Sequence, residues 1–259
     1  MSSLLWDAIA TPAGDGEEPA WSLFHEAAKS SPYEPLAPIA RLAAWAASLP
    51  ESLPFEACPW VDLPPAEPLR LPLGAAIAAR RTPQALEPVS LSLEALAALL
   101  HHSYGVVGEP GERAVASRAG LHPLELFFHS RLVDGLPAGL YHYDPPRHGL
   151  HLLRGNDQSG RIASALADKS LVLGASVLIF LAAVPEREVL VDGDRGYRFL
   201  LLEAGAVAHS LDLAARALGL ACLQVGDYYD RPLDTWLGAD GLTMSVLHIV
   251  ALGNERAGS

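Results

Sequence analysis

Apolar positions along the chain fall into two textures, a helical period in some stretches and short unbroken runs in others. Leu36 to Leu49 has the helical period and is ended by Pro50. Leu73 to Arg80 is Ala-rich and helical. Ser92 is placed to cap a further helix, with Glu94 in its first turn, apolar positions at Leu96, Leu99 and Leu100, and Gly105 as the stop. Strand-like pieces follow at Leu124 to Leu132, Gly139 to Tyr143 and Gly149 to Leu153, the last two joined by the turn residues Asp144-Pro145-Pro146. Ile162 to Ala167 reads as a short helix. The apolar run Leu171 to Val184, with Ser176 inside it, reads as a buried strand, centred on Ala175 to Ala183. Tyr197 to Leu218 is a long helix closed by Gly219. Ala221 to Val225 and Val246 to Leu252 read as strands, with Leu233 to Leu237 a helical turn between them. Helices and strands alternate loosely, which predicts an α+β fold.

On the long helix, at about 100° per residue, His209, Asp212 and Arg216 share one face, and Glu203 and Ser210 share the opposite one. The flanks between are apolar: Leu201, Ala208 and Ala215 on one side, Phe199, Ala206, Leu213 and Ala217 on the other. Two apolar flanks suit a central helix, either within the core or at a subunit contact.

Composition narrows the function classes. Twelve of the 21 prolines lie in the first 72 residues. Residues 1–70 therefore read as a Pro-punctuated N-terminal extension with one helix, and residues 71–259 as the main domain. The net charge is −12 and the only lysines are Lys29 and Lys169. An acidic chain without a basic cluster argues against nucleic acid or an anionic membrane surface as partner. Cys58 and Cys222 are too few for a disulfide framework or a cysteine metal site. The first residues lack the charged and apolar regions of a signal peptide, and no apolar run approaches the roughly 20 residues of a membrane span. The expected compartment is the cytoplasm.

Common site motifs are absent: there is no G-x-G-x-x-G after a strand, no Walker lysine and no nucleophile elbow. The pairs His101/His102 and His148/His151 bring no carboxylate or cysteine at ligand spacing, so packing is their expected fate and no metal is expected. Arg80-Arg81-Thr82 offers planar bidentate donors and a hydroxyl suited to a phosphate, although a cation pair also suits a helix C-terminus. Ala116 to Glu125 (ASRAGLHPLE) has small residues and Gly120, which would let a backbone approach a flat ligand; it also reads as an ordinary loop entering a strand. Gln224-Val225-Gly226-Asp227 is a strand end running into a glycine turn.

In this order, these segments resemble the SagB/ThcOx-type dehydrogenases, a branch of the nitroreductase family. ARRTPQ (Ala79 to Gln84), the helix ending at Gly105, ASRAGLHPLELFF, GLYHYDPPRHGLHLL (Gly139 to Leu153), RGYRFLLLEAGAVAHSLDLAARALGL (Arg195 to Leu220), QVGDYYDRPLDTWLG and VLHIVALG (Val246 to Gly253) carry the resemblance. FHEAAKSSPY (Phe24 to Tyr33) is similar to a short N-terminal element of the same branch.

The resemblance implies a nitroreductase-like fold, with a mixed or antiparallel sheet flanked by helices, and a homodimer with the long helix at its interface and FMN bound between subunits. It implies that Arg80, Arg81 and Thr82 meet the flavin phosphate and ribityl chain. Gln84 falls at the N1/O2 edge, where relatives place a basic residue that stabilises reduced flavin better than a neutral amide can. By the same resemblance, Ser117, Arg118 and Gly120 pass the ring from its other side, Gly226 and Asp227 approach the reactive N5, and Arg256 reaches the phosphate. One departure bears on activity. Azoline-oxidising relatives carry a Lys-Tyr acid/base pair where this chain has Val191 and Asp192. Valine cannot move a proton. Asp192 could do so if burial raised its pKa, but its place in VLVDGD reads as a loop. His209 and Ser210 replace a common Gln-Asn pair.

Three readings stay open. The first is an FMN-dependent dehydrogenase of modified peptides (azoline to azole type) that uses Asp192, His209 or Tyr228 as base, with a cyclodehydratase or other biosynthetic enzyme as partner. The second is an NAD(P)H-dependent reductase of small nitro compounds or flavins. The third is a non-catalytic peptide-binding subunit of a biosynthetic complex.

Overall fold

The computed structural model describes residues 19–33, 37–50, 52–108 and 112–256. Its spine is an antiparallel sheet in the order β1-β5-β4-β3-β6-β8-β2, with β7 also paired to β8. The strands are β1 (Trp60–Asp62), β2 (Leu86–Glu87), β3 (Leu124–Ser130), β4 (Gly139–Asp144), β5 (Gly149–Gly155), β6 (Val177–Ala183), β7 (Ala221–Val225) and β8 (Ser245–Glu255). β3, β4 and β6 are buried along their whole length. Both faces of the sheet are covered, so these strands are continuous apolar runs and do not alternate.

The helices are α1 (Ala20–Ala27), α2 (Ile39–Ala46), α3 (Leu73–Ala79), α4 (Leu93–Tyr104), α5 (Ser159–Ser164), α6 (Ser170–Gly174), α7 (Glu186–Asp192), α8 (Asp194–Ala217) and α9 (Asp230–Leu237). α4 and α8 cover one sheet face, where Leu99, Leu100, Val207 and Leu211 meet Leu126, Phe128, Ile179 and Leu181. α5, α6 and α9 cover the other, packing Ile162, Val172 and Leu233 on Phe127, Phe180 and Ile249. The α+β architecture expected from the sequence, an antiparallel sheet flanked by helices, is therefore present. Ser92 caps α4 as expected, its Oγ accepting from Ala95 N at 3.1 Å.

The structure corrects several elements. The run Leu171 to Val184 is not one strand. Asp168 Oδ1 accepts from Ser170 N at 2.9 Å and starts α6, and the strand begins only at Val177. Glu186–Asp192 is helical where the sequence suggested a loop. Its N-cap is Pro185, Glu186 and Glu188 lie in its first turn, and Gly193 ends it at φ 58°. The expected helix Leu36 to Leu49 is observed as Ile39–Ala46, and residues 34–36 lie outside the described residues. Within the first 70 residues, α1 and β1 went unread. β1 joins the sheet edge with Trp60 opposite His151. Gly149 makes room for the Trp60 ring, because a Cβ there would lie 2.0 Å from it. α1 docks on α8 through Phe24 and Tyr197, whose rings are 5.8 Å apart, and α2 docks through Trp45 Nε1, which donates to Arg187 O at 2.8 Å.

On α8 the buried face comprises Leu200, Glu203, Ala204, Val207, Leu211 and Asp212 among others. Ala208 and Ala215 are buried, whereas Leu201, Ala206 and His209 are exposed. The two flanks are thus not equivalent in the single chain. His209 and Asp212, which share a face by periodicity, differ in burial: His209 is exposed and Asp212 is buried.

Candidate functional site

Two charged clusters occupy opposite ends of α8. At its C-terminal end, Arg80 terminates α3 and sets Nη1 3.7 Å from Asp212 Oδ2. Arg216 Nη2 donates to Arg81 O at 2.6 Å, and Arg81 Nε donates to Glu255 Oε2 at 2.8 Å. Arg256 N donates to Ala85 O at 3.1 Å, which brings the backbone of Arg256 beside the same strap. The sequence-expected Arg80 and Arg81 thus lie beside the Arg256 backbone, with Thr82 and Gln84 exposed on the strap between them.

Arg216, which the sequence reading left as a helix-face residue, completes the set. Its signal was the i,i+4 spacing from Asp212. Three guanidinium groups, of Arg80, Arg81 and Arg216, meet two carboxylates here, a cationic surplus in a chain of net charge −12. Asp212 Oδ1 and Arg216 Nε are buried and 3.7 Å apart, too far for a hydrogen bond, and neither finds another partner. A doubly charged phosphate fits this surplus and unmet donor capacity.

Gly226 and Asp227 lie further along the same open edge, since β7 and β2 both run on the outer side of β8. Their turn is pinned by Ala167 N donating to Asp227 O at 3.0 Å and Tyr229 N to Ala165 O at 2.8 Å. A cleft of about 370 Å³ opens beside it, lined by Leu171, Leu223 and Gln224. A Cβ built on Gly226 meets nothing within 4 Å, so this backbone is open to close approach. Gln224 Nε2 donates to Ala208 O at 3.2 Å and ties the edge to α8, next to the exposed His209. Tyr228, by contrast, donates its hydroxyl to Val246 O at 3.1 Å, and burial pushes its phenol up from the ordinary value.

Ser117, Arg118, Gly120 and Asp192 sit at the other end of α8. Arg118 grips both oxygens of Asp192, at 2.5 and 2.7 Å, and lies over the Phe199 ring at 4.7 Å. Ser117 Oγ accepts from His122 N at 2.9 Å. Glu203 is also buried here. It accepts from Tyr104 Oη at 3.0 Å, and burial lifts its carboxyl above the ordinary range. Glu188, one turn before Asp192, is fully buried with neither carboxylate oxygen hydrogen-bonded. Burial first, then the Glu203 and Asp192 charges, raise it to about 8. Sequence reading missed Glu188, Glu203 and Tyr104, which lie far apart in the chain and carry no motif. Between Phe199 and Asp212, α8 rises about 20 Å at about 1.5 Å per residue, so one chain does not bring its two clusters to one ligand.

The paired histidines are used in packing. His148 contacts Tyr143 Oη at 3.0 Å and Pro64 O at 3.1 Å, and the His151 ring meets Trp60 edge to face at 4.9 Å. Among the described residues, no group of three or more His, Cys, Asp or Glu is arranged to hold a metal, and no helix is long and apolar enough to cross a membrane.

An antiparallel sheet between two helical layers, with an arginine-rich edge beside a central helix, defines a three-layer α+β fold. The sequence matches the Nitroreductase family over residues 77–254, and the chain belongs to that family. It is 34% identical over 143 residues to a nitroreductase-family protein of Methanocaldococcus jannaschii, covering 55% of this chain and 72% of that one. A nitroreductase-like structure from Anabaena variabilis superposes with a TM-score of 0.74 at 23% identity, covering 90% of this chain. This chain spans about half of that protein, 47% of its length. The Escherichia coli microcin synthetase McbBCD complex with truncated pro-MccB17 bound gives a TM-score of 0.61 at 20% identity, over 90% of this chain and 86% of the matched one. A nitroreductase-like protein of Desulfovibrio desulfuricans in complex with FMN gives 0.51 at 18% identity, over 73% of this chain and 90% of that one.

Proposed function

We propose that this chain binds FMN as a homodimer and oxidises a modified peptide or heterocycle, in the manner of the SagB-type dehydrogenases. The observation that carries the reading is the arginine cluster at the C-terminal end of α8, whose charge surplus and unmet buried donor, Arg216 Nε, fit a phosphate. Arg80, Arg81, Arg216 and Arg256 would hold the phosphate, with Thr82 donating its hydroxyl and Gln84 facing the pyrimidine edge as a neutral donor. The Gly226–Asp227 backbone would border the ring. Ser117, Arg118 and Gly120 would cover the ring bound to a second copy, since they lie about 20 Å along α8 from the arginines. The exposed apolar residues of α8, Leu201, Leu202 and Ala206, suit that contact.

Bound flavin supplies a hydride acceptor and donor at N5. The chain must supply the proton acceptor. Of the three candidates, Asp192 is gripped at both oxygens by Arg118, and Tyr228 donates to a backbone carbonyl. His209 is exposed on α8 beside the β7 edge and is the base we favour. The likeness to the microcin synthetase supports a peptide substrate, because it extends over the residues that precede the family match. The commitment of Asp192 favours a second reading, an NAD(P)H-dependent reductase of small electron-poor molecules, which needs no Lys-Tyr counterpart.

The test is the visible spectrum of the purified protein with identification of any released chromophore. About one FMN per chain is expected. Arg80→Ala should weaken FMN roughly tenfold to a hundredfold, the worth of one charge-assisted contact. Unchanged occupancy in that variant would overturn the phosphate placement, and a colourless protein that takes up no added FMN would overturn both enzyme readings. Turnover of NAD(P)H with a quinone, but not of a heterocycle-bearing peptide with oxygen, would select the reductase.

A further inference from the structure

The loop Ser117 to His122 has an unusual backbone. Ala119, Gly120 and His122 all have positive φ, at 49°, 70° and 43°, and two of them are not glycine. Such a conformation persists only where its surroundings impose it. Two of its own side chains anchor it, Arg118 on Asp192 and Ser117, whose Oγ takes His122 N and whose hydroxyl bonds Glu203, and Arg187 holds His122 O from outside the loop.

Glu188 stands behind both anchors. From its own helix it faces Asp192, from the loop Arg118 and from α8 Glu203. Glu203 is in turn met by Tyr104 from α4, with Arg113 and Arg187 beyond it. Arg187 is already spent, donating to Glu125 Oε1 at 2.6 Å and to His122 O at 2.6 Å. Of the three carboxylates, Glu188 and Asp192 share Arg118 as their cation, and Glu203 has Arg113 and Arg187. Asp192 and Glu203 have hydrogen bonds and Glu188 has none. The packing also leaves no slack: a Cβ on Gly196 of α8 would lie 2.7 Å from the Glu188 backbone.

We propose that Glu188 is the positioning residue of a proton-held latch on this loop. When neutral, it leaves Arg118 wholly to Asp192 and the Ser117–His122 loop is fixed. When it gives its proton to solvent, it becomes a second buried anion competing with Asp192 for the Arg118 guanidinium, and the loop loses that anchor. The rise of its carboxyl to about 8 puts this change within reach of mildly alkaline conditions. The consequence for the flavin rests on the function proposed above, because the loop would cover the ring in a second copy. The latch itself does not depend on that reading.

The experiment is hydrogen exchange of the peptide spanning residues 115–122 in the full chain, corrected for intrinsic rates, at about pH 6.5 and about pH 9.5, with and without FMN, in wild type and Glu188→Gln. In wild type, loop protection should fall about tenfold or more at the higher pH, while the glutamine variant, fixed in the neutral form, keeps it. An equal fall in both proteins, or none in wild type, overturns the latch. Should the variant fail to fold, the infrared difference spectrum of wild type decides between the same two pH values. A buried protonated-carboxyl band that disappears supports the latch, and its absence at the lower pH overturns it. The pH effect in the protein without FMN tests the latch alone. Failure to bind FMN at all would sink the functional reading and leave that result standing.

Discussion

Gly174→Ala should loosen the proposed cofactor edge without touching any residue that would meet the cofactor. Gly174 ends α6 directly under β2, and an added Cβ would lie 2.6 Å from Leu86 O and 3.2 Å from Leu86 C. Both are backbone atoms, so no side chain can swing away. β2 is only two residues long, pairing Leu86 with Glu255 and Glu87 with Asn254, and Gly253 closes on Glu87 O from the other side. The strand must lift. Overpacking of this kind costs about 1–3 kcal/mol, and losing part of a two-residue ladder adds about 1 kcal/mol. A total of about 2–4 kcal/mol lowers the melting temperature by roughly 5–15 °C in a domain of this size. The strap bearing Arg80 and Arg81 leads directly into β2, so its displacement should weaken FMN about tenfold or more, equivalent to about 1.4 kcal/mol. Thermal unfolding and an FMN titration, with Gly160→Ala as control because nothing lies within 4 Å of a Cβ there, measure both effects. Should Gly174→Ala melt with the control and bind FMN like wild type, the clamped-strap argument fails.

Two further outcomes are expected. Glu188 rises from 4.5 to about 8 in the folded chain, so below about pH 4.5 it is protonated in both states and costs nothing. Between these values the unfolded chain ionises and the folded chain does not, and stability is lost as pH rises, by up to about 1.4 kcal/mol per pH unit. Urea unfolding should therefore show Glu188→Gln gaining on wild type from about pH 5 to about pH 8, by roughly 3 kcal/mol. A gap that is constant or reversed would refute the buried neutral acid. Arg80→Ala and Arg118→Ala chains, each defective alone, should complement on mixing, because a random mixture of dimers leaves roughly a quarter of the sites with neither change. Occupancy equal to the mean of the separate variants would show that both residues serve one chain's own site, or none.

Long elements with strong periodicity and defined stops were legible in the sequence. α8 has its Gly219 stop, at φ 75°, and α4 has its Ser92 cap, because both signals are local. α7 and β1 were not legible. Seven residues ended by Gly193 do not display a helical period, and three residues whose defining contact is Trp60 over Gly149 have no strand signature. The run Leu171 to Val184 misled because hydrophobicity is shared by a buried helix and a buried strand, and the divider is the side chain of Asp168, which lies outside the run. At the site, Arg80, Arg81 and Arg256 could be named from the resemblance, and Arg216 only once the fold had set it against Arg81 O. The acid cluster was out of reach, because Glu188, Glu203 and Arg118 meet only through the corner between α7 and α8.

That corner and the arginine edge are linked by the dipole of the helix that separates them. The N-terminal end of α8 carries partial positive charge, and Asp192 and Asp194 gather there. The C-terminal end carries partial negative charge, and Arg216, Arg80 and Arg81 gather there. Each cluster thus sits where the backbone already favours its sign. For a phosphate this has an opposing consequence. The anion would approach the end of α8 that repels it, unlike an anion held at a helix N-terminus. Its binding must come from side chains alone, against both the dipole and the carboxylates of Asp212 and Glu255. Under the proposed phosphate placement, an edge of this kind needs several arginines where a helix N-terminus would need one or none, and Arg80 and Arg81 on the strap with Arg216 on α8 would supply them.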